Sequence, residues 1–261
     1  MINEKKMVSM LEHLHYPSAT TLDDFKFNLS SVKQRILEAC QRVDRNPSTV
    51  RLLPVSKTVS PERIRIAYDA GIRQFGENKA QEAYSKWKEL ANLDDIRWTM
   101  IGHLQTNKAK FVAHFASEFQ ALDSLKVAEE LDRHLQRLGR SLDVFIQVNT
   151  SGEASKYGLP PEAVMQFLHA MPVFNSLQVK GLMTLATFSN DVTQVRSCFI
   201  RLKKLRDQLL QVVTPNIKLE ELSMGMSGDF EIAIEEGATV VRVGQAIYGS
   251  RTQPNAYYWP K

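Results

Sequence analysis

The sequence predicts an α/β fold, a single (β/α)8 TIM barrel with an N-terminal helical extension. Three observations predict it. Eight short apolar runs, at 51–57, 74–78, 97–102, 119–123, 143–149, 179–185, 220–224 and 239–244, alternate with stretches of helical periodicity. No linker rich in Pro, Gly or Ser interrupts the alternation, so one domain of 29–251 is expected between an arm of 1–28 and a tail of 252–261. The chain has 261 residues, 43% hydrophobic and 24% charged, which suits one large closed core. An open doubly wound sheet is the competing arrangement of the same pattern.

The helical stretches carry their own start and stop signals. Residues 1 to about 25 are mixed in character and read as an arm or short helix. From Ser31 to Val43 the apolar positions Val32, Ile36, Ala39, Cys40 and Val43 fall at helical spacing. Ser60-Pro61-Glu62 combines a capping serine with proline at the first helical position, and Pro160-Pro161-Glu162 starts a helix through His169. Residues 195–212 form the clearest amphipathic helix, with Val195, Phe199, Leu202, Leu205, Leu209 and Val212 on one stripe. Asp229 is placed to cap a helix at 230–236 that Gly237 ends. The tail, with Tyr257, Tyr258 and Trp259, is expected to fold back over the barrel.

Composition excludes several function classes. The net charge of +4, from 33 basic and 29 acidic side chains, is spread along the chain and makes no case for nucleic acid. Cys40 and Cys198 lie far apart among apolar neighbours and read as reduced thiols. The start Met1-Ile2-Asn3-Glu4-Lys5-Lys6-Met7 lacks the apolar run of a secretory signal, and no stretch approaches the roughly 18 apolar residues that cross a bilayer. A soluble cytoplasmic protein with no membrane partner is expected. The six histidines show no metal-ligand spacing, and G-x-S-x-G, Walker and dinucleotide glycine patterns are absent.

In such a barrel the strand C-termini form one face, where sites collect. The run Leu52-Leu53-Pro54-Val55-Ser56-Lys57 brings one amine to that face. An amine at the mouth of an apolar strand is placed to be partly desolvated, which frees the neutral nucleophile that Schiff-base chemistry with an aldehyde such as pyridoxal 5'-phosphate (PLP) needs. The alternative is a solvated lysine closing a strand. After the seventh strand, Ser223-Met224-Gly225-Met226-Ser227-Gly228 combines hydroxyls with glycines, and Gly244-Gln245-Ala246 follows the eighth. Loops after these two strands are the usual phosphate site of the fold; tight βα turns alone would also use glycine. Arg242 interrupts an otherwise apolar strand, so its charge needs a partner, either a carboxylate or the ring nitrogen of a pyridine cofactor. His103 is a rim histidine able to act as a base, and Lys156 is a loop lysine able to attract a phosphate; each has an ordinary structural reading too.

Six ordered motifs then coincide: Pro54-Val55-Ser56-Lys57-Thr58, Phe75-Gly76-Glu77-Asn78 with Gln81-Glu82, Ile101-Gly102-His103-Leu104-Gln105-Thr106-Asn107-Lys108, Gly181-Leu182-Met183-Thr184, Leu222-Ser223-Met224-Gly225-Met226-Ser227, and Val241-Arg242-Val243-Gly244. In these, from about Ser31 to Arg251, the chain resembles the YggS/PROSC family of PLP homeostasis proteins, related in fold to the N-terminal barrel of alanine racemase. The resemblance implies that Lys57 holds PLP as a Schiff base, that Asn78 lies near the ring and Arg242 near its nitrogen, and that Ser223 or Ser227, with the Gly244-Gln245 backbone, holds the phosphate. Met224 belongs to the same cofactor-binding set. Three positions depart from the family pattern: Gln245 where a threonine is usual, Trp98-Thr99 in place of a Trp-His pair, and Gly228-Asp229 in place of an acidic pair. The arm is also longer than the family norm.

The leading expectation is a non-catalytic PLP carrier acting in vitamin B6 and amino-acid homeostasis, a monomer with PLP-dependent apoenzymes or a regulatory protein as partners. A racemase needs bases on both faces of its substrate adduct, and the sequence names no second one. A PLP-dependent amino-acid racemase and a PLP-sensing adaptor of a protein partner are the alternatives.

Overall fold

The computed structural model describes residues 16–212 and 217–250, so the expectations for the first fifteen residues and for the tail lie outside the described residues. Eight parallel strands follow the expected alternation: β1 (Arg51–Pro54), β2 (Gln74–Glu77), β3 (Arg97–Met100), β4 (Ala116–Leu122), β5 (Leu142–Gln147), β6 (Leu177–Met183), β7 (Glu221–Ser223) and β8 (Val240–Val243). They hydrogen-bond in the order β1-β8-β7-β6-β5-β4-β3-β2. The last seam, between β1 and β2, is closed by the Val55–Gly76 bridge and by the Ser56 amide donating to the Gly76 carbonyl at 2.9 Å. The closed barrel replaces the open doubly wound alternative.

Outside it run α1 (Leu22–Gln41), α2 (Pro61–Asp69), α3 (Ala80–Glu89), α4 (Ala109–Phe115), α5 (Leu125–Leu138), α6 (Val164–Ala170), α7 (Val192–Leu209), α8 (Phe230–Glu235) and α9 (Gln245–Tyr248). Strands covered on both faces read as near-continuous apolar runs, and β8, buried at all four positions, is the plainest case.

Three expectations about helix ends need correction. Helix α1 begins at Leu22, not Ser31, so the arm boundary at 28 cuts through it. Thr21 accepts a hydrogen bond from the Asp24 amide at 3.2 Å while Asp24 accepts from the Thr21 amide at 2.9 Å, a reciprocal cap. Phe25, Leu29, Val32, Ile36, Ala39 and Cys40 then form one buried stripe. That stripe packs α1 against α2, α8 and α9, which makes it part of the barrel's outer ring. The 195–212 helix is displaced to Val192–Leu209, capped by Asp191 at the Thr193 amide (2.8 Å), and Val212 is exposed. The segment through His169 opens with a 3-10 turn at Pro161–Ala163 before α6 starts at Val164.

Candidate functional site

The C-terminal ends of β1 and β8 meet at a cavity of about 140 Å³ whose wall includes Val55, Lys57, Thr58, Gly244, Gln245 and Tyr248. Parallel pairing of β1 with β8 sets Leu53 beside Arg242 and Pro54 beside Val243, which brings the following Lys57 and Gly244 to the same rim. Strand β1 ends earlier than the expected 57. Lys57 is the second residue of a turn closed by the Val59 amide donating to the Ser56 carbonyl at 2.9 Å. The third residue of that turn, Thr58, has φ +66°, a left-handed conformation in which a β-branched residue is strained.

Of the predicted site residues, the cavity brings together Lys57, Gly244 and Gln245. Ser227 adjoins them, because the Gly244 amide donates to its hydroxyl at 3.2 Å. Ser223 stands elsewhere. Its hydroxyl is fully buried, accepts from Arg242 at 2.6 Å and donates to Gln120 at 2.7 Å, so of the two candidate phosphate hydroxyls Ser227 is the one beside the cavity. Met224 is fully buried at the end of β7, with its amide on the Val240 carbonyl at 3.1 Å. Asn78 follows β2 and keeps a buried Oδ1 with no hydrogen-bond partner. Gly225 has φ +94°, and a Cβ there would lie 2.6 Å from the Ala233 Cβ, so only glycine lets the loop after β7 turn against α8.

Arg242 is buried, and its hydrogen bonds go to a hydroxyl and a carbonyl, while the expected carboxylate, Asp229, acts on it through charge. The guanidinium donates to the Ser223 hydroxyl at 2.6 Å and to the Thr184 carbonyl at 2.8 Å. Burial lowers it to about 10, opposed by the charge of Asp229, so it stays cationic at neutral pH. A polar column continues beneath it across the barrel interior. Ser223 leads to Gln120, Gln120 donates to Glu118 at 2.6 Å, and Glu118 pairs with Arg51 at 2.9 Å.

Asp229 does not cap α8 with its side chain. Its carboxylate accepts from the Met226 amide at 2.5 Å, in the preceding loop. The residue keeps some exposed surface, but the carboxyl group is desolvated, and burial raises it above its ordinary 3.8 against the opposing Met226 bond and Arg242 charge. A raised folded-state value binds the proton more tightly than the unfolded chain does, so stability from this group is present below 3.8 and lost as pH rises through the folded value. Asp229→Asn is therefore expected to gain stability relative to the native chain between pH 4 and pH 7, measured by urea unfolding at both. A constant difference would refute it.

Farther round the rim, the His103 ring stacks on Tyr157 at 3.9 Å and 8°. Its Nδ1 lies 3.7 Å from Asp123, which burial raises and His103 opposes. Lys156 is engaged by Glu153 and by the Ala186 carbonyl, each at 2.8 Å. Sequence reasoning missed Ser18, Arg63 and Tyr248 on the cavity wall. Arg63 clamps the Ala19 carbonyl (2.7 Å) to the Tyr248 carbonyl (2.5 Å), which holds the segment before α1 against the end of α9. No local signal marks that pairing, because Arg63 meets both carbonyls across long sequence separations.

Among the described residues there is no group of His, Cys, Asp and Glu suited to a metal ion, and no helix long and apolar enough to cross a membrane. The family described as alanine racemase, N-terminal domain, matches residues 27–252. The pyridoxal phosphate homeostasis protein of Pseudomonas aeruginosa is 42% identical over 224 residues, covering 86% of this chain and 94% of its own. Its counterpart in Aquifex aeolicus is 40% identical over 223 residues, covering 85% and 96%. Among solved structures, PipY of Synechococcus elongatus with PLP bound superposes with a TM-score of 0.76 at 34% identity, covering 86% of this chain and 100% of PipY. The chain belongs to the alanine racemase N-terminal domain family and, within it, to the pyridoxal phosphate homeostasis proteins.

Proposed function

We propose that this protein binds PLP reversibly on Lys57 and serves PLP homeostasis in the cytoplasm without turning over an amino acid. One observation carries the reading: the only amine of the β1 tip shares a cavity wall with Gly244 and Gln245 of the β8 tip, with the Ser227 hydroxyl alongside. When bound, PLP supplies an aldehyde that condenses with an amine, an aromatic ring and a phosphate. The residues present fit those three parts. Lys57 provides the amine, while Gly244, Gln245 and Ser227 surround an anion with backbone, amide and hydroxyl groups. Gln245 takes the place of the family's usual threonine, so the hydroxyl contact to phosphate would fall to Ser227.

Asn78 Oδ1, buried and unpartnered, is an acceptor awaiting a donor. Arg242 would face the ring nitrogen with a donor and a positive charge, which disfavours protonation of that nitrogen. The relatives named for PLP homeostasis and the PLP-bound PipY structure support the assignment. The non-catalytic part is supported by the relatives named for homeostasis and by Lys156, which Glu153 and the Ala186 carbonyl engage. Recipient PLP-dependent apoenzymes or a regulatory protein are the partners this function calls for.

Borohydride reduction of the PLP-treated protein, digestion and mass mapping are expected to find the pyridoxyl group on Lys57. A label that is absent, or carried by another lysine, would sink the assignment. In a parallel assay, racemisation of alanine or serine at ordinary enzyme rates, about 1–10³ per second, would overturn the non-catalytic part.

A further inference from the structure

We infer that Glu77, Glu82 and Lys86 form a positioning unit that holds the Lys57 turn in its strained shape. The inference rests on the PLP-binding reading above and concerns how that site is kept ready. The Lys86 ammonium is buried. It donates to Glu77 Oε1 at 2.8 Å, to Glu82 Oε1 at 2.7 Å and to the Ser56 carbonyl at 3.0 Å. Glu77 Oε1 also accepts from the Ser56 hydroxyl at 2.6 Å, and Glu82 Oε1 accepts from the Thr58 amide at 2.9 Å. Both chain neighbours of Lys57 are therefore tied to one three-charge cluster, supplied by the tip of β2 and by α3.

The turn itself needs that support. Its third position favours glycine, because a positive φ costs a side-chain-bearing residue energy, and threonine occupies it here. Strain of this kind persists only where the surroundings over-determine it. The bonds from Lys86 to the Ser56 carbonyl and from the Thr58 amide to Glu82 do that on both sides of Lys57. The cluster is costly in its own right. Glu77 is fully buried, desolvation raises it against the pull of Lys86, and its Oε2 has no hydrogen-bond partner. Burial would raise Glu82 too, but the hydrogen bond and charge of Lys86, with the Thr58 amide, hold it below the ordinary carboxylate range. Well-packed apolar side chains would stabilise the fold at least as well. What they could not do is fix the two peptides that flank Lys57.

The test is Lys86→Met, which keeps the stem and removes the donors, alone and combined with Thr58→Gly, which removes the strain. PLP affinity is read by titration, and attachment at Lys57 by borohydride mapping. Lys86→Met is expected to weaken PLP binding about tenfold, the scale of one strained residue expressed as an equilibrium constant. Thr58→Gly in that background is expected to restore most of the affinity, a rescue that a merely structural role for Lys86 would not give. Wild-type affinity in Lys86→Met, or no rescue by Thr58→Gly in a folded double variant, would overturn the inference. If Lys86→Met does not fold, Glu82→Ala at the half-buried edge of the cluster carries the same test with the same two outcomes. Failure of the PLP reading shows separately, as native protein that carries no label on Lys57.

Discussion

Gly181→Ala is expected to remove at least about 3 kcal/mol of stability, enough to threaten folding of a domain whose total is typically about 5–15 kcal/mol. A Cβ at this position would sit 1.9 Å from the Glu221 carbonyl oxygen and 2.6 Å from its carbon. Those are backbone atoms of the neighbouring strand, so no rotamer change can clear them. Relief would require β7 to move. That strand is three residues long and pairs with β6 through Gly181–Glu221, Leu182–Leu222 and Met183–Ser223. Moving it would also disturb the Glu221 carboxylate, 3.1 Å from Arg51, and the Ser223 hydroxyl that accepts from Arg242. Gly228→Ala is the control: a Cβ there meets nothing within 4 Å, so its effect should stay within about 0.5 kcal/mol. Urea unfolding of both variants checks the contrast, and a Gly181→Ala protein melting within a few degrees of the native chain would refute the steric account.

That glycine shows why part of the site was legible and part was not. Gly181-Leu182-Met183-Thr184 is as good a motif as any in the chain, yet its glycine serves the approach of two strands. The barrel itself was readable because strands buried on both faces leave apolar runs that no helix period explains, and all eight emerged in place. Lys57 was readable for a related reason, as an amine closing such a run. The start of α1 carried a signal, Thr21 three residues before Asp24, but Phe27, apolar yet exposed between Phe25 and Leu29, blurs the stripe until the helix is seen packed. Ser223 and Asp229 could not be assigned from sequence. A hydroxyl or carboxylate beside glycines reads as ligand-binding or capping, and only the closed barrel shows one turned inward to Arg242 and the other turned back to Met226. Lys86 is the extreme case. On a helix with Lys79 and Lys88 nearby it reads as solvated, and its burial depends on where β2 and the Lys57 turn come to lie.

Arg242→Leu is expected to destabilise the protein by about 3 kcal/mol, although it removes a charge that is expensive to bury. The cost comes from what it strands. The Thr184 carbonyl loses its guanidinium donor, and Asp229 loses the positive charge that opposes its own desolvation. Ser223 loses less, because its bond to Gln120 remains. Lysine should not rescue the loss, since two separate nitrogens of the guanidinium serve two acceptors, one at the end of β7 and one just past β6, and a single ammonium on a flexible stem lacks that fork. Asp229→Asn should rescue part of it. Neutralising the carboxyl removes the group that Arg242 was offsetting, so the double variant is expected to be about 1 kcal/mol more stable than the sum of the singles predicts. The same pair separates fold from ligand. If Arg242 faces the ring nitrogen of PLP, affinity and the pH dependence of the bound cofactor's absorption should stay altered in the double variant even where stability returns. Urea unfolding of the four proteins at pH 7, with PLP titrations alongside, measures both, and strictly additive stabilities would show that Arg242 and Asp229 do not sense each other.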